Sequence, residues 1–195
     1  MRRKTFDLLM TAGGGVLTIV LVVAGALLMW GYTFANSNVH NQLAEQKIFF
    51  PAKGSPALAP KEIGPYLDQY AGQQLLTGPQ AEAYADHFIR VHLSEVAGGK
   101  TYAEVSAASK ADPTNQTLKA EAQTLFQGET LRGLLLNAYA WWKIGEIALI
   151  ASIVSFALAG VMLLLTVGGL VHWRRTPEEE EFPPRHTPQE VLAGV

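Results

Sequence analysis

The sequence predicts an all-α protein: two transmembrane helices carrying an extracytoplasmic helical bundle. Three observations lead there. Hydrophobic residues make up 49% of the chain and charged residues only 16%, against about a quarter charged in ordinary soluble domains. That apolar excess is gathered into two uncharged blocks rather than spread evenly. Between the blocks, helix-capping patterns recur, and no alternation of apolar and polar residues marks a strand.

The first block, Leu8 to Tyr32, and the second, Ile147 to Val171, each contain 25 residues without an ionisable side chain before the terminal tyrosine of the first. A helix needs roughly 20 to cross the hydrocarbon core. Trp30 and Tyr32 end the first block, and Trp141, Trp142 and Trp173 flank the second; such rings favour the membrane–water interface. The first block exceeds the roughly 7–15 apolar residues of a signal peptide, so it reads as a retained anchor despite the small residues Ala24-Gly25-Ala26. Arg2, Arg3 and Lys4 precede it, and Arg174 and Arg175 follow the second block. Cytoplasmic flanks carry such excess positive charge. The expected organisation is therefore a basic cytoplasmic N-terminus (1–7), a first transmembrane helix (8–34), an extracytoplasmic helical domain (35–143), a second transmembrane helix (144–173) and a disordered acidic cytoplasmic tail (174–195). A multi-pass plasma-membrane protein with both termini in the cytoplasm follows.

Within the external segment, Asn36 to Gln46 places Val39 and Leu43 at helical spacing and can extend the first span. Lys47 to Pro60 is a proline-broken loop whose Ile48, Phe49 and Phe50 either plug the bundle or dock outside it. Lys61 to Tyr70 reads as a short helix with Gly64-Pro65 near its start. Gly78, as a cap, and Pro79, at the first turn, open a helix expected to reach Val96 and stop at Gly98-Gly99. Thr101-x-x-Glu104 is a capping box for the next helix. Asp112-Pro113 introduces the last, which can pass through Gly128 into the second span.

Several function classes lose support from composition. Cysteine is absent, which excludes disulfides, thiol nucleophiles and zinc–thiolate sites. A net charge of −2 is unlike the basic footprint of a nucleic-acid binder. Gly13-Gly14-Gly15 lacks the Lys-Ser/Thr of a phosphate-binding loop, and no GxSxG nucleophile elbow occurs. Neither span carries a mid-depth charge of the kind that ion pathways use. No catalytic residue and no cofactor-binding residue is assigned, and no cofactor is expected.

The stretch ADHFIRVHLSEVAGG, residues 85–99, holds most of the chemistry-bearing side chains. His87 and His92, five apart, differ by about 140° around a regular helix and cannot share a metal. His92 and Glu95 are the surviving metal or ligand candidates, with His92 expected near the middle of an apolar face formed by Ala81, Tyr84, Ala85, Phe88, Ile89 and Val96. Asp86 and Arg90 are spaced for an ion pair on the opposite side. In the spans, Ala151, Ser155 and Ala159 recur every four residues, and Gly14 and Gly25 thin the first helix; small residues of this kind let helices approach closely. They serve either the packing of one span on the other or an added membrane-protein partner or second copy. Lys143 and Glu146 fit an interfacial, structural role, and Asn115-Gln116-Thr117 is formally a glycosylation sequon.

Taken together, NQLAEQKIFFP, QAEAYADHFIRVHLSEVAGGKTYAEVS and FQGETLRGLLLNAYA make the chain resemble an actinobacterial two-span integral membrane protein family from Met1 to Trp173. The resemblance implies a bacterial plasma membrane and brings no catalytic residues. Some members bear the label of aromatic ring-opening dioxygenase, but the iron-binding histidine/carboxylate site that such enzymes use cannot be assembled from these residues. The expectation is a non-enzymatic membrane accessory, scaffold or assembly protein that binds a protein partner. An extracytoplasmic module that binds or senses a small ligand or metal is the alternative.

Overall fold

The computed structural model describes residues 3–177. Among these the chain is helical, and the one extended pairing is an isolated antiparallel bridge between Phe49 and Gln74. Two helices dominate: α1, Arg3–Gln46, and α6, Gln116–Arg175. Each contains a stretch long and apolar enough to cross a membrane, with mean hydropathy 2.3 and 2.6. None of the ten prolines lies within either helix, so no backbone donor is lost and no ring breaks the ladder. Of the tail expected from residue 174 onward, Arg174 and Arg175 instead belong to α6, and the acidic run from Glu178 to the end lies outside the described residues.

The chain divides into two compact units. One comprises Met1–Trp30 and Ala148–Val195, the other Gly31–Ile147. In the first, α1 meets α6 along small residues. The fully buried Ser152 donates its hydroxyl to the Gly25 carbonyl at 2.8 Å, and Ser155 donates to Leu21 at the same distance. Gly25 faces the Phe156 ring so closely that a Cβ there would come within 3.0 Å of it, and a Cβ on Gly14 would lie 2.8 Å from the Thr166 hydroxyl. Ala159 is buried and Ala151 half-buried on the same helix. Close backbone approach therefore comes from glycine and serine, and the hydroxyls supply the cross-helix hydrogen bonds. Toward the helix ends, Thr176 donates to the Asp7 carboxylate at 3.2 Å, and Lys4 lies 5.9 Å from the Trp173 ring centroid.

The second unit has its own core. Val39 and Leu43 of α1 and Leu125 and Leu135 of α6 meet Ile63, Leu67, Leu75 and Val105 from the shorter elements. Residues 48–50 run alongside 73–75, with Phe50 donating to Gln73 and Leu75 to Ile48, both at 2.9 Å. Side chains alternate across such an extended segment. Phe50 is accordingly buried against Tyr70 and Tyr84, while Phe49 points outward.

The short helices start where local chemistry caps them, not always where the sequence suggested. α2 covers Gly64–Leu67, continued by a 3-10 turn at Asp68–Tyr70, so it begins three residues later than Lys61. α3, Gly78–Ala83, is capped by Thr77 rather than Gly78, with Gln80 completing a capping box. Gly78 is instead the first helical residue, and the Trp142 side chain occupies the place a Cβ would take. A π-helical turn, Tyr84–Ile89, and α4, Arg90–Val96, continue the rod. α5, Tyr102–Ala111, has the Thr101/Glu104 capping box, and the Thr101 hydrogen bonds hold the Glu104 carboxyl below its ordinary range. α6 is capped by Asn115, whose side-chain oxygen accepts from Thr117 and Leu118 at 3.1 Å; Asp112 serves only the preceding turn.

Gly64 has no room for a side chain, because the Leu58 backbone carbonyl fills the Cβ position, whereas nothing lies within 4 Å of that position at Gly133 of α6. Gly64→Ala should lower the stability of the second unit by about 1–3 kcal/mol through overpacking, and Gly133→Ala should hold or raise it by up to about 1 kcal/mol. Thermal unfolding in detergent, compared between the two variants, checks this.

Candidate functional site

The histidine-bearing rod does not keep the phase of a regular helix. Arg90 donates its backbone N–H to Ala85, five residues back, the mark of a π turn. Twelve residues of ideal α-helix would rotate about 120° beyond whole turns. The wider turn takes up that drift, so Ala81, Ala85, Ile89 and Leu93 all reach the core. Leu93 thus holds the central place expected for His92, and Val96 is exposed at 38%.

His92 and Glu95 are both exposed. His92 donates Nδ1–H to the Phe88 carbonyl at 2.7 Å and packs against the Phe88 ring. Among the described residues, no three His, Asp or Glu side chains gather in a metal-binding group. His87 stacks flat on Tyr66, with centroids 3.6 Å apart.

The ion pair expected between Asp86 and Arg90 is also rearranged. Asp86 accepts from Arg132 of α6 at 2.9 Å, and Arg90 instead donates to the Asp86 backbone carbonyl at 2.9 Å. Arg132 reaches Glu129 as well, at 3.3 Å. These acceptors, Asp86 foremost, raise the Arg132 pKa above its ordinary value. Burial raises that of Tyr84. Burial does the same for Tyr139, with Glu82 adding to it. The Asp86–Arg132 pair ties the π turn to α6.

A different place on the second unit is hollow. A groove of about 390 Å³ runs between the 34–48 and 131–141 stretches. Asn38, Gln42 and Gln46 of α1 line it at four-residue intervals, and Asn137 of α6 adds a fourth carboxamide. The rest of the lining is apolar, chiefly Leu131, Leu134, Leu135, Ala138 and Trp141, together with Phe34 and Ile48. No lining side chain is ionisable. Leu134 is 63% exposed and Trp141 52%. Gln42 donates to Asn38 at 2.7 Å.

Of the remaining aromatic candidates, Trp30 is exposed and Tyr32, Trp142 and Trp173 are half-buried. Trp142 packs against the core of the second unit, a structural role beyond an interfacial one. The carboxamide line escaped the sequence reading, although its signal is plain: residues 38, 42 and 46 sit one step round α1 from the apolar stripe of Val39 and Leu43. Ser152 stands outside the four-residue series of Ala151, Ser155 and Ala159, so spacing alone does not mark it as the buried contact.

No protein-family model, curated protein or solved structure matches the chain. The groove geometry is therefore the main guide to function.

Asp86 and Arg132 are each partly shielded, at 33% and 26% side-chain exposure. Their pairing should contribute about 1 kcal/mol. A double-mutant cycle of Asp86→Ala and Arg132→Ala, read by chemical denaturation, should return a coupling of that size, and a coupling near zero would deny the link between rod and α6.

Proposed function

We propose that this chain is a non-enzymatic, two-span protein of the plasma membrane that presents a binding groove outside the cytoplasm. The hydropathy of α1 and α6 supports two spans. The basic residues Arg3, Lys4, Arg174 and Arg175 at the outer ends of those helices favour cytoplasmic termini, which leaves Gly31–Ile147 on the other side. A bacterial plasma membrane accords with the resemblance to the actinobacterial family. The polar side chains that suggested chemistry are occupied structurally: His92 with the Phe88 carbonyl, Asp86 with Arg132, His87 with Tyr66.

One observation carries the binding reading: an uncharged groove with a half-exposed tryptophan, exposed leucines and four convergent carboxamides. Apolar pockets of about 300–1,000 Å³ with a few placed polar groups are the usual form of ligand sites. The protein acts in this account as an accessory component that holds its target by the groove.

A second reading is a helical protein partner or second copy. Leu131, Leu134, Ala138 and Trp141 follow the three-four spacing of a helix seam. Both readings place the contact in the groove. Incorporation of p-benzoylphenylalanine at Leu134, followed by irradiation of intact cells, should give an adduct that the same probe at exposed Lys119 of α6 does not. Equal labelling from the two positions contradicts binding by the groove.

A further inference from the structure

We propose that the groove binds a lipid with a neutral, hydroxyl-rich headgroup, of the glycosyl diacylglycerol class. This rests on reading the groove as the binding site. The lining excludes the principal alternatives on chemical grounds. An anionic headgroup would find no Lys or Arg there, although charge-assisted contacts are what hold phosphate. The apolar face of a partner helix would cover Asn38, Gln42, Gln46 and Asn137 without supplying donors or acceptors, and each amide stripped of water unpaired costs free energy.

Sugar hydroxyls meet the requirement. Each carboxamide offers a carbonyl acceptor and two N–H donors, and vicinal hydroxyls can use both kinds. The Gln42–Asn38 bond at 2.7 Å orders part of that amide row and consumes only one donor of the several present. Trp141 is 52% exposed beside the row and offers a flat apolar face against which the C–H side of a sugar ring packs. Leu131 and Leu134 continue the apolar surface away from the uncharged stretch of α6, while exposed Phe34, beside the first uncharged block, offers a contact for the start of an acyl chain at the opposite end of the groove.

Depth along the helix favours a lipid over a free sugar. Trp141 precedes the uncharged stretch at Ile147 by six residues, about 9 Å along a helix axis. With that stretch of α6 in the bilayer as proposed, Trp141 falls at headgroup level on the same helix. A headgroup can then reach the amides while its tails stay in the membrane.

Native mass spectrometry of the full-length protein in a non-glycosidic detergent tests this. The probes are monogalactosyl diacylglycerol, phosphatidylglycerol and diacylglycerol with matched acyl chains, and free galactose. Retention of the galactolipid should exceed that of the other three by at least about five-fold and fall by a similar factor in Gln42→Leu and Asn137→Leu, as expected for lost hydrogen bonds. Both residues are exposed, so folding should survive, and circular dichroism verifies it. Equal retention of phosphatidylglycerol or diacylglycerol, binding of galactose as tight as that of the lipid, or indifference to both variants overturns the proposal. The Leu134 adduct separates the two levels of failure: a peptide adduct without lipid sinks this inference alone, while no specific adduct sinks the groove reading with it.

Discussion

A peptide group in hydrocarbon has no water to bond, so each must be satisfied by its own chain, and only an uninterrupted helix does this within one segment. α1 and α6, each with a stretch long and apolar enough to cross a membrane, meet that requirement. Neither helix contains proline, and Gly14, Gly25 and Gly169 stand where the two helices touch. Ser152 and Ser155 satisfy their hydroxyls on the carbonyls of Gly25 and Leu21, so the close approach leaves these polar atoms paired.

The second unit builds its core from the rods as much as from the short helices. Val39, Leu43, Leu125 and Leu135 provide one wall, against which Ile63, Leu67, Leu75 and Val105 are almost wholly removed from water. Elements as short as α2 and α3 could not persist alone, since isolated helices below about 12 residues are marginal. Caps at Thr77 and Thr101 satisfy the ends of α3 and α5, and the Asp86–Arg132 pair ties the π turn to that wall. Between residues 34–48 and 131–141 the two long helices and Ile48 themselves line the groove.

Long uniform runs were legible in the sequence because apolarity over 25 residues needs no tertiary context. Capping boxes were legible at Thr101 for a similar reason, as the pattern is local. The histidine face departs from the spacing of a regular helix because a π turn changes helical phase without any residue that announces it; once Tyr84–Ile89 widens, Leu93 rather than His92 reaches the core. The cap falls on Thr77 and not on Gly78, whose lack of a side chain serves the Trp142 ring instead. Asp86 chose a partner 46 residues away, a choice made by folding and not by spacing. The groove carboxamides were visible one by one, but their convergence with Trp141 required two distant stretches to be set side by side.

The absence of cysteine makes the central claim directly measurable. Single cysteines in place of exposed Lys110 and exposed Arg174 can be probed on intact cells with a membrane-impermeant maleimide, then again after lysis. The account predicts labelling at Lys110→Cys in intact cells and at Arg174→Cys only once the membrane is opened. Protection of the first with labelling of the second, or free labelling of both in a chain recovered from the soluble fraction, would contradict it.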